Sequence, residues 1–176
     1  GNNATATRYS DTTFVEYDFP SIDYTTDTDH PVQTELMGQI SKTKNGNAIT
    51  WYSYDELGQL KWTKQAIFGL GTKTVDYTYD NSGNVTTVAY QKNQADGFYH
   101  HYVYDLDQRL KEVWTNKQGA DPALQAKYSY YLHGPLKRVE LAGNKQGIDY
   151  VYTISGGLKG INHADRAKDP GLDGIS

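Results

Sequence analysis

The sequence predicts an all-β chain in which tandem antiparallel β-hairpins stack into a curved sheet. A tyrosine-rich nine-residue motif recurs five times at nearly constant spacing. The centre of each copy carries residues that favour a tight turn, and no stretch has the apolar periodicity of a long amphipathic helix. These three observations favour strands joined by turns across the repetitive region, residues 32–162.

The recurrent motif is Tyr-x-Tyr-Asp-x-x-Gly-x-Leu. Its copies start at residues 52, 77, 102, 128 and 150, so successive starts are 25, 25, 26 and 22 residues apart. The motif positions are Tyr52, Tyr54, Asp55, Gly58 and Leu60 in the first copy; Tyr77, Tyr79, Asp80, Gly83 and Val85 in the second; Tyr102, Tyr104, Asp105 and Leu110 in the third; Tyr128, Tyr130, Gly134 and Leu136 in the fourth; and Tyr150, Tyr152, Gly156 and Leu158 in the fifth. Gln108 stands at the glycine position of the third copy, while Tyr131 and Thr153 stand at the aspartate position of the last two. A more diverged copy is predicted at residues 32–40.

Hairpin chemistry explains why these residue types recur. The two tyrosines are two residues apart, so their rings lie on one face of a strand. The aspartate accepts a hydrogen bond from a backbone N–H two residues on, and the glycine adopts positive φ without a Cβ clash. The final leucine or valine starts the return strand. The predicted hairpins therefore lie near residues 52–62, 77–90, 102–114, 128–141 and 150–161.

The return strands depart from strict alternation. Apolar residues recur with a first step of three, as in Val85 and Val88 or Leu136 and Val139. This step predicts a β-bulge or a strong local twist just after the turn. The alternative is that both faces of the sheet carry some apolar residues.

Outside the repeats, the sequence is polar and irregular. Residues 1–31 form a Thr- and Asp-rich lead-in with short β-like runs at 14–17 and 22–24, and residues 163–176 form a polar tail. The connector 121–126 is the only stretch where a short helical turn is plausible. The two termini favour an internal piece of a longer protein over a chain that has lost a signal peptide.

Composition excludes several classes of function. The chain has 176 residues, a formal net charge of −4 and no basic stripe, which argues against nucleic acid as the main partner. No run approaches the roughly 18–20 apolar residues of a membrane helix. The absence of cysteine rules out disulfides and cysteine metal sites but leaves the compartment open.

Candidate catalytic or metal-ligating groups are sparse. Asp55, Asp80 and Asp105 share one repeat phase and could bind Ca²⁺ as a row, but turn capping explains each of them alone. His100 and His101 are adjacent, so a strand points them to opposite faces. The sequence contains no GxSxG, HExxH or phosphate-binding loop motif. We expect no catalytic residue, no metal and no cofactor.

The tryptophan residues suggest a second hypothesis about function. Trp51, Trp62 and Trp114 flank the hairpins and could stack on sugars, or they could pack against the neighbouring repeat, as an array requires. An open stack of hairpins also leaves strand edges that pair with flanking repeats or with another copy.

The motif array resembles the RHS/YD-repeat family, which includes bacterial Rhs toxins, Tc-toxin C subunits and animal teneurins. The segments 130–141, 147–150 and 157–162 are similar to Bacteroidetes-type RHS proteins in particular. The resemblance implies a β-ribbon that spirals into a hollow shell around a toxic segment, or supports adhesion, in a large secreted or cell-surface parent. Asp169-Pro170-Gly171-Leu172 has leucine where the Asp-Pro-x-Gly self-cleavage motif of Rhs toxins requires glycine, so self-cleavage is not carried over.

These observations lead to two competing hypotheses about function. The first is a non-catalytic structural repeat module, a fragment of an RHS/YD shell that encapsulates a toxin or other cargo or forms a surface assembly. The alternative is an adhesin or carbohydrate-binding module that uses exposed aromatic rows.

Overall fold

The chain folds as one open antiparallel sheet. The computed structural model describes residues 13–20, 30, 32–143 and 145–162. Within them, twelve strands pair in chain order, and no helix occurs. The strands are β1 (Thr13–Tyr17), β2 (Ile40–Asn45), β3 (Ala48–Tyr54), β4 (Leu60–Ile67), β5 (Gly71–Tyr79), β6 (Val85–Tyr90), β7 (Phe98–Tyr104), β8 (Leu110–Lys117), β9 (Ala123–Tyr130), β10 (Leu136–Leu141), β11 (Gln146–Tyr152) and β12 (Leu158–Ile161). The all-β prediction is confirmed.

Successive turns of this meander lie alternately at the two ends of the strands. The five motif turns join β3 to β4, β5 to β6, β7 to β8, β9 to β10 and β11 to β12. They all lie at the same end of the strands, and we call this end the motif edge. The connectors between hairpins lie at the other end. The outer strands β1 and β12 each have one neighbour only, so the described sheet does not close. No helix of the described residues is long and apolar enough to cross a membrane.

A β-bulge follows every motif turn. In the first hairpin Tyr54 pairs with Leu60 and Ser53 pairs with Trp62, which leaves Lys61 as the extra residue. The same register shift occurs in the other four motif hairpins. The extra residues are Lys61, Thr86, Lys111, Lys137 and Lys159. The predicted bulge is confirmed.

The bulge also explains the apolar step of three. Val85 pairs with Tyr79 and Val88 pairs with Tyr77, so both valines lie on the face that carries the tyrosines. Without the extra Thr86, one of them would point to the other face. The step therefore marks one apolar face and does not require apolar residues on both.

The opposite face mixes polar side chains with the apolar side chains of Trp62, Ala89 and Trp114. Its cross-strand neighbours include Glu112 with Lys127 and Arg138 with Asp149. With one sheet layer, the described residues bury few large apolar side chains. The buried hydrophobic residues are Leu36, Trp62, Ala89, Ala126 and Val139.

The connector 121–126 is not helical, and that prediction is wrong. Residues 123–126 belong to β9, where Ala123 pairs with Thr115 and Leu124 pairs with Trp114. A partner strand at the correct distance supplies ladder hydrogen bonds, which outweigh a weak local preference for a helical turn.

The diverged motif copy that was predicted at residues 32–40 is formed by a different set of residues. Tyr17 pairs with Ile40, and the Asp18 backbone N–H donates to the Gln39 carbonyl at 3.3 Å, as Asp55 does to Gln59 at 2.9 Å. Tyr17 and Asp18 therefore supply the first half of this motif, and Gly38 to Ile40 supply the second. In the sequence, residues 19–37 are an insertion between these two halves, and the structure describes residues 19, 20, 30 and 32–37 of it. The β-like run at 22–24 and the tail 163–176 lie outside the described residues.

Candidate functional site at the seams between repeats

The site that the repeat builds is the seam between successive hairpins. We define a seam as the region at the motif edge where the backbone ladder between two hairpins stops before the strands end. Between β4 and β5 the ladder stops at Trp62 and Asp76, although β5 continues to Tyr79. The bulge causes this, because the extra residue displaces the start of each return strand from its outer neighbour.

A tyrosine hydroxyl closes each of the first four seams. The second motif tyrosine donates to the backbone carbonyl of the apolar residue that ends the preceding motif. These bonds run from Tyr54 to Ile40 at 3.0 Å, Tyr79 to Leu60 at 2.8 Å, Tyr104 to Val85 at 2.9 Å and Tyr130 to Leu110 at 2.7 Å. Each bond satisfies a carbonyl that lies beyond the end of the ladder. We call these bonds the tyrosine staples.

Tyr79, Tyr104 and Tyr130 of the staples are partly buried and lie near the aspartate of the preceding turn. Burial raises the pKa of Tyr79 above its ordinary value of 10.0, and the charge of Asp55 in the preceding turn raises it further. The same order of causes, burial and then the preceding aspartate, raises the pKa of Tyr104 and Tyr130. The hydroxyls therefore stay protonated and able to donate at neutral pH.

The motif aspartates hold the turns, as predicted. One carboxylate oxygen of Asp55 accepts from the N–H of Leu57 at 2.9 Å and of Gln59 at 2.8 Å. Asp80 and Asp105 repeat both bonds at 2.9 Å. The second acceptor contact, four residues on, could not be predicted from the two-residue turn pattern alone.

The residue between the glycine and leucine positions is a further contributor that sequence analysis missed. The Asn84 side chain donates to Asp80 at 3.0 Å, and Arg109 Nε donates to Asp105 at 2.8 Å. These side-chain hydrogen bonds are the main reason that the pKa of each aspartate lies below its ordinary value. Arg109 also covers the Tyr130 ring, with its Cζ 4.4 Å from the ring centroid. It therefore links one turn to the staple of the next.

The fourth and fifth motifs have Tyr131 and Thr153 in place of the aspartate, and each side chain makes a different hydrogen bond. Thr153 accepts from the Gly157 N–H at 3.0 Å through its hydroxyl, which substitutes for the carboxylate. Tyr131 instead donates its hydroxyl to the Tyr150 carbonyl at 2.9 Å, across the last seam. A substitution within the turn thus creates an alternative contact between hairpins.

The insertion fills the first seam. Gln33 Nε2 donates to the carbonyls of Ser41 at 2.7 Å and Tyr52 at 2.8 Å. The Tyr54 N–H donates to the Thr34 carbonyl at 3.1 Å, and the Thr34 hydroxyl donates to the Tyr54 carbonyl at 2.7 Å. This segment buries Ser41 and Ser53 completely, unlike any other part of the described sheet.

A buried histidine, His30, covers the neighbouring part of the sheet at Trp62 and Asp76. His30 Nε2 lies 3.0 and 3.1 Å from the two carboxylate oxygens of Asp76, and its ring packs edge-on against Trp62 with centroids 5.2 Å apart. Trp62 is only 3% exposed, so its ring is not available to stack on a sugar. Trp114 is half-buried, and its indole N–H donates to Glu112 at 3.0 Å. The Trp62 ring is therefore packed, but its ring contact is with His30 of the lead-in and not with a neighbouring repeat as predicted.

The remaining candidate groups do not converge. The His100 ring stacks with Tyr102 on the tyrosine face, whereas His101 lies 2.8 Å from Asn116 on the other face. Across the described residues, no three His, Asp or Glu side chains group closely enough to hold a metal ion.

The motif edge carries a row of exposed aliphatic side chains at the turn tips. These are Met37, Leu57, Leu106, Leu132 and Ile154, which are 82–111% exposed. Four of the five successive motif turns carry such a side chain, and the second turn, with Asn81 and Ser82, is the exception. A regular apolar row of this kind marks an interaction surface in many proteins.

The fold is similar to solved Tc toxin structures. The crystal structure of TcdB2–TccC3–Cdc42 matches with a TM-score of 0.63 and 19% identity over 72% of this chain and 7% of that chain. TcdB2–TccC3 without its hypervariable C-terminal region matches at 0.63 and 18%, over 76% and 7%. A Photorhabdus luminescens Tc holotoxin pore matches at 0.60 and 19%, over 72% and 7%.

The chain has an RHS-like fold. It spans only 7% of the length of each toxin chain it matches. No protein-family model matches the chain, and no curated protein sequence does. The likeness therefore establishes the fold of the ribbon.

Proposed function

We propose that the chain is a non-catalytic wall segment of an RHS/YD-repeat shell that encloses a toxin or other cargo, or of a surface assembly built from the same ribbon. The tyrosine staples are the observation that carries this proposal. At the first four seams they connect a hairpin to the one before it by a rule that depends only on motif residues, so the same contact can be repeated as the ribbon is extended. A wall built from one ribbon requires a sheet that further repeats can extend and that does not close on itself.

The small core supports the same role. The single sheet layer leaves most of its tyrosine face half-exposed, and only five apolar residues are buried among those described. The turn-tip row from Leu57 to Ile154 is also uncovered. A wall segment gains its missing contacts from neighbouring windings of the ribbon, which a free-standing domain does not have. On the strength of the fold likeness, we propose a secreted or cell-surface bacterial parent.

Electron cryo-microscopy of the intact parent protein tests the proposal. We expect density for this segment within the wall of a hollow shell or a continuous assembly, with its strands in register with flanking repeats. A segment that projects as an isolated domain, with solvent on both faces and both edges, would contradict it.

A further inference from the structure

The first seam shows how a peptide segment binds beside a motif turn. Gln33 uses its amide to bridge two backbone carbonyls, and Thr34 exchanges hydrogen bonds with the backbone of Tyr54. The Thr34 N–H also donates to the Ser53 hydroxyl at 2.9 Å. Most of these contacts are to backbone groups, so they depend on the repeat geometry and not on the side chains of one hairpin.

The seam before Tyr104 has the same architecture, and none of the residues that the structure describes fills it. A cleft of about 410 Å³ opens there between the turn at 80–83 and the turn at 105–108. Its lining includes Thr86, Tyr102, Val103 and Tyr104, which occupy the repeat positions of Ser41, Tyr52, Ser53 and Tyr54. All four residues that hold the insertion at the first seam therefore have counterparts in this cleft.

Exposure separates the filled seam from the open one. Ser53 is 0% exposed beneath the insertion, whereas Val103 at the same repeat position is 40% exposed. Among the described residues, no side chain donates to the carbonyl of Tyr102 or Tyr104, although Gln33 and Thr34 donate to their counterparts. The last seam is different, because Tyr131 already bonds to the Tyr150 carbonyl.

We propose that the cleft between the turns at 80–83 and 105–108 binds a peptide segment of a partner polypeptide that carries an amide side chain followed by a hydroxyl side chain. The amide donates to the carbonyls of Thr86 and Tyr102, and the hydroxyl donates to the carbonyl of Tyr104. The backbone carbonyl of the hydroxyl-bearing residue accepts from the Tyr104 N–H. The methyl group of a threonine at that position covers Val103. This recognition uses main-chain groups of the receptor for affinity and side-chain chemistry of the ligand for selectivity.

The inference goes beyond a wall function, because it assigns a ligand class to one seam and holds for the isolated chain. The probe is the acetylated and amidated pentapeptide Val-Gln-Thr-Glu-Leu, the sequence of residues 32–36. The matched control peptide is Val-Ala-Val-Glu-Leu, which retains the length and charge but lacks the amide and the hydroxyl. Each peptide is titrated into the full ¹⁵N-labelled chain and followed by two-dimensional NMR.

We expect saturable shifts of the Thr86, Val103 and Tyr104 amides with the probe, and binding at least about tenfold weaker with the control, because two or more hydrogen bonds are lost. Val103→Arg, which fills the cleft floor, should abolish the shifts. The proposal is overturned if millimolar probe leaves these amides unchanged, if both peptides bind equally, or if shifts are confined to Ser53 and Tyr54. The last result would mean that the probe only exchanges with the insertion. Because the two peptides are compared on the unmodified chain, the test does not depend on the folding of the variant.

Discussion

The first and second tyrosines of a motif differ in what their hydroxyl groups contact. The Tyr79 hydroxyl donates to the Leu60 carbonyl across a seam, whereas the Tyr77 hydroxyl donates to no group among the described residues. Both rings lie on the same face of β5, and burial raises the pKa of both. The two positions therefore allow the hydrogen bond to be separated from the packing of the ring.

Tyr79→Phe should lower the free energy of unfolding by about 1 kcal/mol, because it removes one hydrogen bond and leaves the Leu60 carbonyl without its donor. Tyr77→Phe is the matched control and should change it by a few tenths at most. Equilibrium urea unfolding at pH 7 measures both. Equal losses in the two variants would show that the staple contributes nothing beyond ring packing.

The glycine position offers a reciprocal pair of substitutions. Gln108 has a φ of +61° where the second motif has Gly83 with a φ of +87°. A side chain in this left-handed region costs about 1–2 kcal/mol, partly offset by the greater entropy that glycine loses on folding. Gln108→Gly should therefore raise stability by about 0.5–1 kcal/mol, and Gly83→Gln should lower it by a similar amount. Thermal unfolding followed by circular dichroism measures both, and the same sign of change in the two variants would contradict the interpretation.

At the scale of the element, the motif hairpin was largely predictable and the seam was not. The turn aspartate, the positive-φ glycine and the bulge all follow from local residue order. The staple depends on which carbonyl lies beyond the end of a ladder, and that is a property of two strands together. The sequence alone predicts that the Tyr79 ring lies on one face of the sheet. It does not predict that the Leu60 carbonyl accepts the Tyr79 hydrogen bond.

The split first motif is hard to recognise in the sequence because its two halves are not contiguous. Tyr17-Asp18 is a sequence signal that could have identified it. The insertion then separates the aspartate from Gly38, whose N–H donates to Asp18 at 2.6 Å. Residues 32–34 of the predicted copy instead lie at the first seam, where Thr34 bonds to Tyr54.

The insertion contributes stability to the first seam. Gln33→Ala removes the donor for the Ser41 and Tyr52 carbonyls and should cost about 1–3 kcal/mol of local stability, because the hydrogen bond to the Ser41 carbonyl is buried. Hydrogen exchange of the Ser41 and Ser53 amides should accelerate by at least tenfold. Gln94→Ala, in an exposed connector, is the control and should leave these amides unchanged. Unchanged exchange in Gln33→Ala would show that the insertion lies on the seam without stabilising it.

At the scale of the whole molecule, two sets of titrating groups set the pH range of stability. The pKa values of Asp80 and Asp105 are lowered by their side-chain hydrogen bonds, so their contribution is present above the ordinary value of 3.8 and is lost as the pH falls through the folded value. The pKa values of the staple tyrosines are raised, chiefly by burial, so their contribution is complete below 10.0 and is lost as the pH rises through the folded value.

We therefore expect a plateau of stability from about pH 5 to pH 9, with losses on both sides. Unfolding temperatures measured from pH 2 to pH 12 test this, and Tyr79→Phe should reduce the alkaline loss. Stability that keeps rising above pH 10 would contradict the assignment of the staples as hydroxyl donors.

The central claim is that the hairpins form one continuous sheet across the seams, and cross-strand nuclear Overhauser effects test it most directly. The pairs that decide it join different hairpins: Trp62 with Asp76, Thr87 with His101, Glu112 with Lys127, and Arg138 with Asp149. We predict backbone contacts at all four pairs in the 176-residue chain. Contacts within hairpins but none between them would show independent hairpins and contradict the account.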